Sequence, residues 1–181
     1  MNIKVIDNFL PDFEAVKAQA MAQDFEPKEY DGYPYEGIAL DVQVDAELLG
    51  DVAPRFAFWR IAKEGDPTPT PIHCDNSCDS MAGLLYMTDP VGDLDGTAFW
   101  RHRETDTHAL PSHPRALTNH VLAAARRDAA DLSAWDMTML VKAKANRFVT
   151  YPSHYWHSRY PIDCTGYTAQ DPRLIWVVFY S

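Results

Sequence analysis

Two short segments of the sequence carry side chains that bind transition metals. The first is His73-Cys74-Asp75, in which an imidazole and a carboxylate stand two residues apart. In an extended segment these two side chains point to the same face, so one metal ion can accept both. An imidazole and a carboxylate together suit iron or zinc. Such two-ligand fragments also occur by chance, so a site requires a third ligand.

The second segment, residues 151–160, offers that third ligand. It reads YPSHYWHSRY and contains His154 and His157. Two histidines and one carboxylate form the facial triad of non-haem iron(II) oxygenases, which leaves further coordination positions open. From the residues alone, either histidine could complete a triad with His73 and Asp75.

With both segments included, the sequence resembles the superfamily of 2-oxoglutarate- and Fe(II)-dependent oxygenases, in particular its small prolyl-hydroxylase-like branch. The resemblance covers residues 55–180. The family's His-x-Asp motif falls on His73 and Asp75. Its distal motif, an aromatic residue, then Pro-Ser and a later histidine, falls on residues 151–153 and His157. The resemblance therefore selects the second histidine of that segment as the third metal ligand.

The resemblance also implies a cosubstrate site. The family's basic residue at the start of a late strand falls on Arg173, and Tyr86 resembles the family tyrosine that shares the far carboxylate of 2-oxoglutarate. An arginine suits this role because its guanidinium can hold a carboxylate through two parallel hydrogen bonds. Two residues depart from the family's pattern: Asp95 replaces the first glycine of a turn, and Ile175 stands where several branches have serine or threonine.

The remaining sequence predicts the elements that position these residues. Pro11–Gln23 has the spacing of an amphipathic helix, and a second helical pattern lies in an insertion at residues 104–135. The predicted fold is mainly β: a double-stranded β-helix (jelly roll, cupin-like) with an N-terminal helix and a helical insertion. Its strands are predicted from apolar runs at residues 38–44, 55–62, 82–87, 97–100, 137–144, 147–151 and 173–180.

Length and composition limit the classes of protein to consider. The 181 residues suit a single domain, residues 1–181. With 16 Lys+Arg against 26 Asp+Glu, the net charge of −10 opposes binding to nucleic acid or to anionic membranes. The sequence shows neither a signal core nor a run of about 20 apolar residues. We therefore expect a cytoplasmic protein that acts on a small molecule or a peptide, with its oligomeric state left open.

Other residues that could bind metals have simpler interpretations. The three cysteines, Cys74, Cys78 and Cys164, do not have the number or spacing of a disulfide framework or a zinc ribbon, so we expect reduced thiols. Four histidines in and beside the insertion are expected on the surface, the first of them with some substrate contact: His102, His108, His113 and His120.

Together these features predict a dioxygenase that uses Fe(II), 2-oxoglutarate and O2 to hydroxylate an unidentified substrate. By the resemblance, His73, Asp75 and His157 are the catalytic metal ligands, and Arg173 and Tyr86 bind the cosubstrate. The alternative is a non-catalytic jelly-roll module that keeps the fold and binds a ligand. A third interpretation, an iron or zinc hydrolase of cupin-like architecture, would not need Arg173.

Overall fold

The chain forms two antiparallel β-sheets and two α-helices in a computed structural model, which describes residues 2–30, 33–39, 54–68, 70–75 and 80–181. The helices are α1 (Phe13–Met21) and α2 (Arg115–Asp128), and a short 3-10 helix spans Leu132–Ala134. The described residues contain ten strands: β1 (Lys4–Asp7), β2 (Glu26–Tyr30), β3 (Tyr33–Ala39), β4 (Pro54–Ala62), β5 (Met81–Tyr86), β6 (Gly96–His102), β7 (Trp135–Lys142), β8 (Arg147–Pro152), β9 (His157–Tyr160) and β10 (Arg173–Tyr180).

The strands assemble into the predicted jelly roll. The larger sheet has the order β1-β8-β5-β10-β4-β3-β2, and the smaller sheet has the order β7-β6-β9. Strand β10 lies inside the larger sheet and pairs antiparallel with both β4 and β5. A strand with neighbours on both sides and covered faces must be apolar on both faces, which explains the continuous run RLIWVVFY.

Alternation along β10 separates two apolar layers. Ile175 packs with Phe99 of the smaller sheet, in the core between the sheets. Leu174 and Trp176, one residue to either side, belong to a second cluster on the opposite face of the larger sheet. Successive side chains of a strand point to opposite faces, so this one strand contributes to both layers.

Each sheet is covered on its outer face by a helix. The N-terminal helix α1 buries Ala20 completely and packs Phe13 and Val16 against the outer layer of the larger sheet. In the insertion, α2 packs Val121 and Ala125 against tryptophans of the smaller sheet and its neighbouring loop. Both predicted helices are therefore confirmed, and the insertion is part of the packed structure. No helix within the described residues combines the length and the apolar character needed to cross a bilayer.

The strand predictions are confirmed wherever apolar side chains enter the core, with ends that shift by a few residues. The predicted strand at 38–44 overlaps β3 at residues 38–39, and residues 40–44 lie outside the described residues. The sequence analysis missed β1, β2 and β9. All four residues of β1 are exposed, and β2 reads EPKEY, so neither strand has an apolar face that alternation could reveal.

Gly83 lies in the middle of β5, where its neighbours leave no room for a side chain. A Cβ there would overlap the ring of Phe148 and come within 2.8 Å of Cγ1 of Val178. We expect Gly83→Ala to lower the free energy of unfolding by about 1–3 kcal/mol, measured by urea unfolding. The control is Gly92→Ala, where no atom of the described residues other than its chain neighbours lies within 4 Å of the added Cβ. It should change that energy by less than about 0.5 kcal/mol. Equal losses would contradict this packing account.

Candidate metal centre

The structure brings His73, Asp75 and His157 together. The segment that contains His73 runs beside the start of β9, and two reciprocal backbone hydrogen bonds of 3.0 and 2.8 Å join His73 to His157. One ligand atom from each of the three residues lies within 4.8 Å of the other two. The Asp75 carboxylate is 3.7 Å from Nε2 of His73 and 3.5 Å from Nε2 of His157. These three side chains can therefore reach one ion.

Backbone carbonyls orient both imidazoles. Nδ1 of His73 lies 3.3 Å from the carbonyl oxygen of Pro71, and Nδ1 of His157 lies 2.9 Å from that of Tyr155. Because a carbonyl oxygen only accepts, each Nδ1 carries the proton and each Nε2 presents a lone pair beside Asp75. Burial lowers the pKa of both histidines to about 4. Both rings are therefore neutral near pH 7, the form in which imidazole binds metals.

The carboxylate completes a donor set suited to a divalent transition metal. Burial raises the pKa of Asp75 to about 6, and the neighbouring His73 and Arg60 oppose that rise. Two neutral imidazole nitrogens and one carboxylate oxygen fit Fe(II), and they would also accept Zn(II). Within the described part of the chain, this is the one group of three or more histidine, cysteine, aspartate or glutamate residues with such spacing.

The three residues line a cavity of about 520 Å³ to which both sheets contribute. Apolar side chains form much of its wall, and four arginines also line it: Arg60, Arg126, Arg159 and Arg173. Among the lining residues in the described ranges, Asp75 is the one carboxylate. The cavity has the size of a small-molecule site, and its charged groups favour an anion.

Arg173 stands at the start of β10 with only 4% of its surface exposed. Its guanidinium carbon lies 5.5 Å from the ring centre of Tyr86, and its Nε lies 3.8 Å from an oxygen of Asp95. Nε and Nη2 are buried and have no hydrogen-bond partner within the described residues. Buried donors without partners carry a desolvation cost, which a bound carboxylate would remove.

Tyr86 lies against this guanidinium and is not among the residues that line the cavity. Its hydroxyl forms a 2.6 Å hydrogen bond with Oγ1 of Thr97, which does line the cavity. Burial raises the pKa of Tyr86 above its ordinary value. The ring thus supports Arg173 from the side, and its role in binding the cosubstrate stays a prediction.

The expectation that His102 lies on the surface is wrong. Its side chain is completely buried, with Nε2 3.0 Å from Asp128 and Nδ1 2.9 Å from Thr105. Its ring also packs against Trp135. These partners satisfy both ring nitrogens in the interior, and His102 does not line the cavity. The other three histidines of that set are exposed, as expected: His108, His113 and His120.

The cysteines that the structure describes are free thiols, as predicted. Cys74 is partly buried and Cys164 is buried, and Cys78 lies outside the described residues. Burial raises the pKa of the Cys74 thiol to about 12. The thiol between the two candidate ligands is therefore protonated near neutral pH and is a poor metal ligand.

Sequence reasoning missed Arg159, which also lines the cavity. Burial lowers its pKa, and the positive charge of Arg173 lowers it further. A signal was present in the sequence: Arg159 follows His157 by two residues, so in a strand the two side chains point to the same face. This spacing was not used because β9 was not predicted as a strand.

Comparisons with known proteins identify a family and a fold. A family model described as "Family of unknown function (DUF6445)" matches residues 67–174. No curated protein matches the sequence. Among solved structures, the chain is similar to the non-heme alpha ketoglutarate dependent carbocyclase SnoK from nogalamycin biosynthesis, with 13% identity over 98% of this chain and 78% of SnoK and a TM-score of 0.58.

Two further structures have the same architecture. AviO1 from Streptomyces viridochromogenes Tue57 is 13% identical, over 99% of this chain and 89% of its own, with a TM-score of 0.57. The non-heme alpha ketoglutarate dependent epimerase SnoN is 10% identical, over 99% of this chain and 77% of its own, with a TM-score of 0.56. At these identities the similarity establishes the shared fold. The assignment to the small prolyl-hydroxylase-like branch stays a prediction.

The two histidines of residues 151–160 can be distinguished by metal binding. Loss of a residue that only hydrogen-bonds to a metal ligand weakens metal binding by about 10- to 100-fold. We expect His157→Ala to weaken Fe(II) binding by more than this, because it removes one of the three ligands. Anaerobic isothermal titration calorimetry measures this change. The matched control is His154→Ala, which should keep the wild-type affinity because His154 is outside the ligand group. A loss confined to His154→Ala would contradict the assignment.

Proposed function

The chain belongs to DUF6445, a family of unknown function, and we propose that this member is an Fe(II)- and 2-oxoglutarate-dependent oxygenase. One observation carries the proposal: His73, Asp75 and His157 line the same cavity as Arg173, a buried arginine with two donor atoms that lack hydrogen-bond partners within the described residues. A metal-binding triad alone would suit many reactions. Together with a buried cation in the same cavity, it suits a cosubstrate that chelates a metal at one end and carries a carboxylate at the other.

The metal ligands in this proposal are His73, Asp75 and His157. When bound, Fe(II) supplies the activation of O2, coupled to the oxidation of 2-oxoglutarate to succinate and CO2 and to the transfer of one oxygen atom to a substrate C–H bond. The chain's own part is to hold both imidazoles neutral, with Nε2 directed towards Asp75. The carbonyls of Pro71 and Tyr155 perform this orientation.

Arg173 binds the far carboxylate of 2-oxoglutarate in this proposal. Its Nε and Nη2 are buried within the described residues without partners, so they can donate to a carboxylate without first breaking other hydrogen bonds. Tyr86 packs its ring beside the guanidinium and restricts its position. The neighbours SnoK and SnoN are described as alpha ketoglutarate dependent, which supports the same cosubstrate here.

The apolar wall of the cavity has two effects on the reaction. It is formed largely by the larger sheet, with Phe56 and Phe58 from β4 and Val177 and Phe179 from β10. These side chains limit the water beside the metal ligands, and low local polarity strengthens the interaction between Arg173 and a carboxylate. They also offer an apolar surface to the substrate, so we propose a small molecule with an apolar portion.

The proposed function can be tested with the purified protein, Fe(II) and 2-oxoglutarate. Under anaerobic conditions the mixture should develop a weak visible charge-transfer band, and admission of O2 should yield succinate. Arg173→Ala should weaken 2-oxoglutarate binding by at least about tenfold, because it removes charged hydrogen bonds to the cosubstrate.

The control for this experiment is Arg103→Gln, which alters an exposed arginine that pairs with Asp136 outside the cavity. It should bind 2-oxoglutarate as the wild type does. Metal binding without the band and without succinate would contradict the oxygenase and favour a non-catalytic binding module. Activity that survives unchanged in Arg173→Ala would instead favour a reaction that does not use this cosubstrate.

A further inference from the structure

We propose that Arg159 and Arg173 together form a two-arginine site that binds the far carboxylate of 2-oxoglutarate. This inference rests on the proposed function and adds a residue to it. Arg159 lies in β9, two residues after the metal-ligand candidate His157, and both side chains line the cavity. Thus β9 supplies a candidate metal ligand and a cation to the same space.

Hydrogen bonds to the protein hold Arg159 in place. Its Nε donates to the carbonyl oxygen of Ile162 at 2.5 Å, and its Nη2 donates to Oγ1 of Thr68 at 2.5 Å. Its Nη1 is buried and has no partner within the described residues. The guanidinium is therefore fixed by two bonds while a third nitrogen stays available to a ligand. Such preorganisation lowers the entropic cost of binding.

The two arginines have few close carboxylate partners within the described residues. No carboxylate in the described ranges forms an ion pair with Arg159, and Arg173 has Asp95 alone, at 3.8 Å. Asp95 is further engaged, because the hydroxyl of Tyr167 donates to its other oxygen. The two guanidiniums are close enough for the charge of one to affect the other.

Arg173 is buried and Arg159 is partly buried. Asp66 and Asp163 also act electrostatically on Arg159, but neither forms an ion pair with it within the described residues. An anion bound between the two guanidiniums would reduce their mutual repulsion.

The free donors match the acceptors of one carboxylate. Three guanidinium nitrogens of this pair lack hydrogen-bond partners in the part of the chain that the structure describes: Nη1 of Arg159, and Nε and Nη2 of Arg173. A carboxylate has two oxygens with about four lone-pair sites, so it can accept from all three. The pair therefore selects 2-oxo acids that carry a second carboxylate over those that do not.

The test compares two 2-oxo acids in anaerobic Fe(II) titrations monitored by the visible band. We expect Arg159→Gln to raise the Kd of 2-oxoglutarate at least about tenfold, the loss typical of one charged hydrogen bond. The Kd of 2-oxobutyrate, which has no second carboxylate, should stay within about twofold of the wild-type value, because its binding does not use the arginine pair. The control Arg103→Gln should change neither.

The outcomes separate this inference from the proposed function. If the wild type binds neither acid, the proposed function fails. If the wild type binds 2-oxoglutarate and Arg159→Gln binds it equally well, the arginine pair is wrong and the oxygenase stands. An equal loss for both acids would show that Arg159 acts through the fold or the metal ligands, which also overturns the pair.

A second variant covers the case in which Arg159→Gln does not fold, as judged by circular dichroism. Arg159→Lys keeps the positive charge and loses the planar fork that bonds to Ile162 and Thr68. It should weaken 2-oxoglutarate binding and leave 2-oxobutyrate unchanged. If a folded Arg159→Lys variant binds 2-oxoglutarate with the wild-type affinity, the planar guanidinium of Arg159 does not bind the carboxylate, which overturns the pair.

Discussion

The reciprocal hydrogen bonds between the backbones of His73 and His157 determine the rest of the candidate site. They join an irregular segment before β5 to the first residue of β9, two parts of the chain far apart in sequence. A further bond, from the backbone N–H of Asp75 to the carbonyl oxygen of Ser153, anchors the same segment two residues later at 2.9 Å. This backbone pairing brings the three residues together, and the contact of each Nδ1 with a backbone carbonyl oxygen then orients the two rings.

The two sheets supply the side chains that surround the paired segments of His73 and His157. The larger sheet contributes Arg173 and most of the apolar wall, and the smaller sheet contributes His157 and Arg159. A sequence with a net charge of −10 thus encloses a cavity in which four arginines face a single described carboxylate. The net charge of the whole chain affects long-range association, whereas the ligand preference of the cavity depends on the few charged groups that line it. The described residues that line the cavity thus include more cations than anions, although the chain as a whole is acidic.

The sequence predicted the parts of the fold that are encoded by apolar patterns. Strand β10 has two apolar faces and was predicted with its observed limits, and α1 and α2 were found from their buried faces. Strand β1 could not be found in this way because all four of its residues are exposed and its described contacts are backbone pairing with β8 and surface ion pairs of Asp7 with Arg147 and Lys144. A strand without an apolar face leaves no local pattern in the sequence.

The residues of the candidate site that belong to sequence motifs were predicted. The group of His73, Asp75 and His157 was proposed from spacing and resemblance, and the structure places those residues together. The burial of His102 was missed because its partner Asp128 is distant in sequence. Arg159 was missed because nothing local shows that its strand exists. Both errors concern polar groups whose surroundings are made by tertiary contacts.

The central claim is that His73, Asp75 and His157 bind a single metal ion. Beside it, the buried Arg173 binds the cosubstrate. The most direct measurement is anomalous X-ray diffraction from crystals soaked anaerobically with Fe(II) and 2-oxoglutarate. The account predicts one iron peak within bonding distance of His73, Asp75 and His157, with the cosubstrate's far carboxylate at Arg173. An iron peak elsewhere, or a carboxylate bound away from Arg173, would contradict it.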